Sequence, residues 1–504
     1  MAGLSAVLLV LAFPDFNLSP LAWIGLTPVI VVVLRAPHLK ARAFLLGWIT
    51  GTIFFYGSCY WLTYAMVRYG HIPTLISYLL VVPMAITAGL FPASFMLILA
   101  RAVARFGIGA VFAAPFVWVA LEWGRLGISG QLWNAIGYSQ AYAPGLIQSS
   151  RWGGVYAVGF LILLVNASVV YSIARWSIRG LLCSSTVVAA VIIFIALQAY
   201  SGDKVPQVPV EAVVVAVQPN VPMEPVESIE ESEALFTRHL QMSREALREV
   251  TDNKAPHVVI WPESPMNFMY ARDPQFRELL AAFTKANQTS VIFNGLEPDN
   301  TGGSYNAAVM VNEEGRLISQ YDKIRLLPFG EYVPLPHWLP GNGLISGLAG
   351  NFTPGTEYPL LPLGKARAGI FICFESAFPS IARRFANDGA DLLINISNDG
   401  YLGPTPVMRQ HLANAVFRAV ENDRPVLRVT NTGITAYITS RGQVQDATNG
   451  FETAVRRWTV TRVSGEKTFY TRHGDVFVGA CAALAILLII ASSLNVQNLI
   501  KLKP

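Results

Sequence analysis

The sequence predicts a multi-span α-helical membrane domain followed by an α/β domain, and three observations lead to this class. Hydrophobic residues make up 53% of the 504 residues and charged residues only 14%, against about 45–50% and 25% in soluble domains. Long apolar segments follow one another as far as Tyr200. From Val205 to Arg472, short apolar runs alternate with amphipathic stretches, which is typical of strands alternating with helices.

This change in the hydrophobic pattern divides the chain into three regions. We predict an N-terminal transmembrane domain of about seven spans in residues 1–204 and an α/β domain in residues 205–472. Residues 473–504 are predicted to form a last transmembrane helix and a short tail. A net charge of +5 is small for this length, so we expect no nucleic-acid partner.

The apolar segments are the candidate membrane spans. They are Leu4–Phe13, Leu21–Leu34, Ala43–Val67, Ile72–Ala100, Gly107–Leu121, Val155–Ala174, Leu181–Tyr200 and Val476–Leu494. Because about 20 apolar residues are needed to cross the hydrocarbon, the first two are the least secure. We expect no signal peptide, since no small-residue cleavage site precedes the further spans.

Basic residues in the short loops predict the orientation. They are Arg35, Lys40 and Arg42, then Arg101 and Arg105, then Arg175 and Arg179, and finally Lys501 and Lys503. These loops alternate along the chain, and loops rich in Lys and Arg remain in the cytoplasm. Both termini are therefore expected inside the cell and the α/β domain outside it.

The α/β region contains eight candidate strands and four candidate helices. The strands are Val210–Gln218, His257–Trp261, Ser290–Gly295, Ala307–Asn312, Ala368–Phe374, Asp391–Ile396, Pro425–Thr430 and Thr435–Thr439. The helices are Ser228–Glu249, Asp273–Ala286, Pro379–Asn387 and Arg409–Asn422. This alternation predicts one domain with a largely buried sheet. The stretch Leu335–Pro362 is predicted to be an irregular loop that covers or binds a ligand.

One cysteine stands apart from the other three. Cys59, Cys183 and Cys481 lie in apolar segments, which leaves Cys373 as the only thiol of the polar region. It follows the apolar run Gly369–Ile372, so it is expected where a buried strand ends. A lone cysteine cannot form a disulfide there, which favours a catalytic use of Cys373.

Three ionisable residues complete a candidate site for nucleophilic catalysis. Glu263 ends a second strand-like run, while Lys323 and Glu331 lie eight residues apart in a Pro- and Gly-containing loop. Glu263 can take the thiol proton and Lys323 can stabilise an oxyanion. Glu331 can position Lys323 or relay protons. Together with Cys373 they predict acyl transfer through a thioester.

Each of these residues also has a purely structural explanation. Glu263, Lys323 and Glu331 can be solvated surface charges, since loop carboxylates and lysines usually are. We interpret His411 as a structural helix histidine rather than a catalytic base. Glu375 either supports the catalytic residues from behind, without touching the substrate, or is a turn carboxylate. No metal-ligand spacing, P-loop or dinucleotide fingerprint is present, so we expect no metal and no cofactor.

The segments that carry these residues resemble the nitrilase, or carbon–nitrogen hydrolase, superfamily. The matching segments are Trp261-Pro262-Glu263-Ser264, Tyr321-Asp322-Lys323, Pro328-Phe329-Gly330-Glu331-Tyr332-Val333-Pro334, Ile372-Cys373-Phe374-Glu375 and Asn395-Ile396-Ser397-Asn398-Asp399-Gly400. Three further segments are similar to its membrane-embedded branch, the apolipoprotein N-acyltransferases: Gly137-Tyr138-Ser139-Gln140, Gln410-His411 and Thr430-Asn431-Thr432-Gly433-Ile434-Thr435. The resemblance covers nearly the whole chain.

The resemblance implies an αββα sandwich outside the bacterial inner membrane. It implies a phospholipid as acyl donor and a diacylglyceryl-apolipoprotein as acceptor, with the acyl chain carried on Cys373. Glu263 would be the base, Lys323 the oxyanion stabiliser and Glu331 a supporting carboxylate. Two segments depart from the family pattern. Met223-Glu224 stands where a Lys-Trp pair is usual, and Tyr401-Leu402 where Trp-Phe is usual.

Two other functions remain open from the residues. A membrane-anchored amidase or nitrilase would use the same Cys373, Glu263 and Lys323 on a small amide, with water as acceptor. It would not need eight spans or an apolar Leu335–Pro362 loop. A transport or scaffold protein would need none of the catalytic side chains, and all four positions are filled here.

Overall fold

The computed structural model describes residues 1–200, 209–223, 228–250, 254–300, 302–328, 330–333, 352–462 and 466–493. Contacts divide the chain into two units, Met1–Asp203 with His473–Pro504 and Lys204–Arg472. Residues 335–351 of the predicted covering loop, Leu335–Pro362, lie outside the described residues. The basic residues Lys501 and Lys503 also lie outside them.

The first unit is built from apolar helices. They are α1 (Ala2–Ala12), α2 (Ala22–Gly25), α3 (Thr27–Leu34), α4 (Lys40–Cys59), α5 (Leu62–Arg68), α6 (Thr74–Phe106), α7 (Ala114–Ser129), α8 (Ser150–Ala174), α9 (Ile178–Tyr200) and the C-terminal helix Val476–Ser493. Small residues let α4 approach α6 closely, as is usual for helices in a membrane. A Cβ atom on Gly47 would lie 2.5 Å from the Pro92 carbonyl oxygen, and one on Gly51 would lie 2.9 Å from the Gly89 Cα.

Among the described residues, five helical segments are long and apolar enough to cross a membrane. They are Thr74–Phe106, Ile108–Ile128, Val155–Ala174, Ile178–Tyr200 and Val476–Ser493. A sixth exists if α4 and α5, bent by 51°, form one span. Ala2–Ala12 and Ser19–Leu34 are apolar but shorter. The prediction of a multi-span membrane protein is confirmed, whereas the number of eight spans stays a prediction.

The second unit contains two six-stranded sheets. The strands are β1 (Val210–Gln218), β2 (His257–Ile260), β3 (Thr289–Pro298), β4 (Ser304–Val311), β5 (Leu317–Asp322), β6 (Leu360–Leu363), β7 (Ala366–Ile372), β8 (Leu392–Ser397), β9 (Val426–Thr430), β10 (Ala436–Ile438), β11 (Val444–Gln445) and β12 (Ala454–Thr461). The strand orders are β12-β1-β2-β3-β4-β5 and β11-β10-β9-β8-β7-β6. In each sheet three central strands run parallel, β1 to β3 in one and β7 to β9 in the other.

Helices cover both sheets. They are α10 (Ile229–Arg248), α11 (Pro274–Asn287), α12 (Pro379–Asn387), α13 (Val407–Asn422) and the short α14 (Phe469–His473). Helices α10 and α11 contact the first sheet, α12 and α13 contact the second, and the two sheets contact each other through β1 and β9 and through β4 and β7. This arrangement confirms the expected αββα sandwich.

The core explains why the central strands were readily predicted. Residues Ala212–Gln218 of β1 and all of β8 and β9 are buried, so these strands are mostly apolar, as expected for strands covered on both faces. Four strands were not predicted: β5, β6, β11 and β12. Among them, β5 and β12 are edge strands with mixed burial, so their sequences lack a simple apolar pattern.

Candidate active site

The nucleophile candidate lies at the turn that ends a central strand. Strand β7 ends at Ile372, and a 3₁₀ turn runs from Cys373 to Ala377. Cys373 has a φ of +52°, a left-handed conformation that is uncommon for a residue with a Cβ atom. Its side chain is partly exposed and its thiol is not in a disulfide. The turn therefore presents a reactive side chain at the carboxyl end of a parallel strand, where open sheets usually bind ligands.

The predicted cation is buried between the two predicted carboxylates. Lys323 directly follows β5 and is 1% exposed. Its Nζ lies 2.8 Å from Glu331 Oε1 and 3.5 Å from Glu263 Oε1. Strand β2 is parallel to β3, β3 is antiparallel to β4, and β4 is antiparallel to β5. Strand β5 therefore runs in the same direction as β2. The carboxyl ends of these strands therefore bring Lys323 and Glu263 together.

An asparagine that the sequence did not single out links the two carboxylates. Asn306 on β4 donates from Nδ2 to Glu331 Oε1 at 2.6 Å and to Glu263 Oε1 at 3.0 Å. Its own oxygen accepts from Asn294 Nδ2 at 2.7 Å. Asn306 is 6% exposed. It thus holds both carboxylates against Lys323, and a buried amide within an apolar strand was the signal that could have found it.

Main-chain donors fix the second oxygen of each carboxylate. The Leu327 amide donates to Glu331 Oε2 at 2.7 Å, which closes the loop between Lys323 and Glu331. The Asn398 amide, just after β8, donates to Glu263 Oε2 at 3.1 Å. Glu263 is therefore held from both sheets, since Asn306 belongs to the first and Asn398 directly follows β8 of the second.

Glu375 joins the nucleophile turn to the Lys323 loop. It is 1% exposed and accepts from the amides of Ile372, Ile324 and Arg325 at 2.8, 2.8 and 3.0 Å. The Tyr321 hydroxyl donates to both of its oxygens, at 2.8 and 2.9 Å. Because these donors flank Cys373 on one side and Lys323 on the other, Glu375 sets the distance between the two loops.

His411 lies on α13 with its ring against the nucleophile turn. Its Nε2 is 2.9 Å from the Cys373 carbonyl oxygen and its Nδ1 is 2.7 Å from Asp399 Oδ1. It therefore faces the main chain of Cys373 through Nε2, which suits a supporting role.

The electrostatics of the site follow from burial and from these pairs. Desolvation and the Glu263 carboxylate raise the pKa of the Cys373 thiol well above its ordinary value, and Lys323 only partly opposes them. Desolvation alone would lower the pKa of Lys323, but Glu331 and Glu263 raise it above its ordinary value. Desolvation raises the pKa of Glu375 to about 7. At neutral pH the resting site thus holds a protonated thiol beside a charged lysine.

This arrangement can perform acyl transfer through a covalent intermediate. A thiol with a raised pKa needs a base at the moment of attack, and the carboxylate of Glu263 is the charged group that most affects Cys373. The buried Lys323 ammonium can stabilise a negative oxygen that develops at the attacked carbonyl, because a fixed cation acts strongly where water is excluded.

Comparison with known proteins gives the family. Residues 5–168 match the model described as apolipoprotein N-acyltransferase N-terminal domain, and residues 214–468 match carbon–nitrogen hydrolase. An apolipoprotein N-acyltransferase of Geobacter metallireducens is 35% identical over 96% of this chain and 93% of its own length. That of Sinorhizobium medicae is 29% identical over 87% and 85%.

The chain is also similar to solved structures. An amidase from Nesterenkonia sp. is 16% identical, with a TM-score of 0.39, over 55% of this chain and 98% of that one. The matches to the curated relatives, by contrast, extend over both units. The chain belongs to the apolipoprotein N-acyltransferase family, and its second unit is of the carbon–nitrogen hydrolase type.

Proposed function

We propose that this chain transfers a fatty acyl group from a phospholipid to the N-terminal amino group of a diacylglyceryl-cysteine lipoprotein, through a thioester on Cys373. The observation that carries this proposal is the convergence of Glu263, Lys323 and Glu331 beside a cysteine that lies on a left-handed turn. The names of the relatives supply the acceptor class.

In the first half-reaction, Glu263 takes the proton of the Cys373 thiol as sulfur attacks an ester carbonyl of the phospholipid. A carbon–sulfur bond forms, and the ester carbon–oxygen bond breaks. The proton passes from Glu263 to the leaving alkoxide, which departs as a lysophospholipid alcohol. Lys323 holds the oxyanion of the tetrahedral intermediate, and Glu331 and Asn306 keep Lys323 and Glu263 in place.

In the second half-reaction, the amino group of the lipoprotein attacks the thioester. A carbon–nitrogen bond forms and the carbon–sulfur bond breaks. Glu263 takes a proton from the attacking nitrogen and returns it to the Cys373 thiolate. The high pKa of the thiol favours this return, so that the resting enzyme is regenerated in its protonated form.

The membrane segments suit lipid substrates. Residues 205–472 lie in the sequence between membrane helices on both sides, so the catalytic unit is tethered at a bilayer by both of its ends. The basic loops support an inner-membrane location with both termini in the cytoplasm and the catalytic unit outside. The acyl donor and the acceptor are both lipids that a bilayer holds at this place.

The acyl-enzyme can be detected directly. Purified protein incubated with phospholipid vesicles should gain the mass of one fatty acyl group in intact-protein mass spectrometry. Neutral hydroxylamine, which cleaves thioesters, should remove this mass, and peptide mapping should locate it on Cys373. A diacylglyceryl-cysteine peptide should then discharge the adduct and appear with an amide-linked acyl group.

The control is the same peptide with an acetylated N-terminus, which has no amine to attack. It should leave the adduct in place. If no adduct forms with phospholipid while a small amide is hydrolysed to its acid, the proposed transfer is wrong and an amidase activity replaces it.

Replacement of Glu263 with glutamine should reduce both turnover and thiol reactivity. Acyl transfer should fall by about 10²–10⁴-fold because the base is lost. Alkylation of Cys373 by iodoacetamide at pH 7.5 should also fall, because burial keeps the pKa of the thiol raised and no carboxylate remains to take its proton. Alkylation at the wild-type rate together with reduced transfer would show that Glu263 does not take the thiol proton.

A further inference from the structure

The conformation of the nucleophile has to be held by its surroundings. A residue with a Cβ atom rarely adopts a φ of +52° unless other contacts stabilise it. The Cys373 carbonyl accepts from His411 Nε2 at 2.9 Å. His411 is 3% exposed and lies on α13. A buried side chain from a different element therefore anchors the main chain of Cys373.

The contacts of His411 fix the orientation of its ring. Its Nε2 faces the Cys373 carbonyl oxygen and its Nδ1 faces a carboxylate oxygen of Asp399 at 2.7 Å. A carbonyl oxygen and a carboxylate oxygen only accept hydrogen bonds. The ring is therefore held between two acceptors, one on each side.

A buried arginine maintains the charge of Asp399. Arg428 on β9 donates from Nη2 to Asp399 Oδ2 at 2.9 Å, and it is fully buried. Although desolvation opposes it, Arg428 and His411 lower the pKa of Asp399 to about 2. A carboxylate that stays charged keeps the proton on Nδ1 of His411 and thereby fixes the orientation of the ring.

Arg428 is also connected to β7, the strand that precedes the nucleophile. Arg428 Nη1 also donates to Asn395 Oδ1, and Asn395 Nδ2 donates to the Phe371 carbonyl at 3.2 Å. Side chains from β8 and α13 thus bind two carbonyl groups at the end of β7, those of Phe371 and Cys373, and Arg428 of β9 links the two side-chain contacts. Gly433 packs closely against the Asp399 carboxylate, since a Cβ atom on Gly433 would lie 2.2 Å from Asp399 Oδ2.

We propose that His411 is a positioning residue that orients the peptide plane between Cys373 and Phe374. The carbonyl of Cys373 and the N–H of Phe374 belong to this one rigid plane and point in opposite directions. The N–H that follows a nucleophile is well placed to stabilise an oxyanion. By binding the carbonyl, His411 aims this N–H, and Asp399 with Arg428 holds the His411 ring in place. This inference rests on the proposed acyl transfer through Cys373.

Two isosteric variants separate the two contacts of His411. In His411→Gln the amide nitrogen takes the place of Nε2 and can still donate to the Cys373 carbonyl. In His411→Asn the amide nitrogen takes the place of Nδ1 and can donate only towards Asp399. Acyl-enzyme formation from phospholipid should remain within about tenfold of wild type in the first variant and fall by about 10²-fold in the second.

Alkylation by iodoacetamide distinguishes positioning from general structural damage. This reaction passes through no oxyanion, so alkylation of Cys373 should change less than about tenfold in His411→Asn while acylation falls about 10²-fold. Wild-type protein without any acyl adduct would refute the proposed function itself. If the wild type forms the adduct, two results would overturn the role of His411. One is equal acylation in His411→Gln and His411→Asn, and the other is a parallel loss of acylation and alkylation in His411→Asn.

Asp399→Asn provides a second test if His411→Asn does not fold, as judged by gel filtration and thermal unfolding. Because Arg428 only donates, the amide oxygen of this variant should face Arg428 and the amide nitrogen should donate to His411 Nδ1, so that Nε2 still donates to the Cys373 carbonyl. Acylation should therefore stay within about tenfold of the wild-type rate, with little change in alkylation. A fall in acylation of about 10²-fold in a folded Asp399→Asn variant would contradict the proposal, since the carbonyl contact would be intact.

Discussion

Replacement of Cys373 with alanine should reduce acyl transfer by at least about 10⁴-fold, because no other group can carry the acyl chain. The fold should survive, since alanine keeps the Cβ atom and the same left-handed turn. The thermal midpoint should therefore move by only a few degrees. Transfer to a diacylglyceryl-cysteine peptide and thermal unfolding in detergent measure the two quantities.

Cys183→Ala is the matched control for this experiment. Cys183 lies exposed on α9 in the first unit, and its replacement should leave transfer unchanged. Activity above about one per cent of wild type in Cys373→Ala would show that transfer does not need the thioester.

Replacement of Lys323 with methionine should reduce both activity and stability. Transfer should fall by at least about 10³-fold because the oxyanion loses its cation. The free energy of unfolding should fall by about 3–5 kcal/mol, since the buried carboxylate of Glu331 and the partly buried carboxylate of Glu263 lose their partner at 2.8 and 3.5 Å. Turnover assays and denaturant unfolding in detergent would measure the two effects.

A double variant separates the two effects of Lys323. Glu331→Gln added to Lys323→Met removes one uncompensated carboxylate, so part of the lost stability should return while activity stays low. If the double variant regains activity, Lys323 serves only to balance charge. If the single variant is as stable as wild type, the two ion pairs contribute no net stability.

The fold could be predicted wherever burial leaves a continuous apolar run. Strand β1 and helix α12 have the predicted bounds, Val210–Gln218 and Pro379–Asn387. Strand β12 was missed because Arg456 and Arg457 interrupt its apolar pattern. It forms by pairing with β1, more than two hundred residues earlier in the chain. Such distant pairing stabilises an edge strand that local preferences do not specify.

The sequence by itself determined the membrane class, the αββα class through its resemblance, and Cys373, Lys323 and Glu263 as candidates, because these residue types suit nucleophilic catalysis and because Cys373 and Glu263 follow recognisable strands. Tertiary structure alone decided that Asn306 binds both carboxylates and that His411 binds the Cys373 carbonyl. These contacts join groups from strands, loops and helices that are far apart in the sequence. No local pattern encodes them, since hydrogen-bond partners are chosen only when the elements pack.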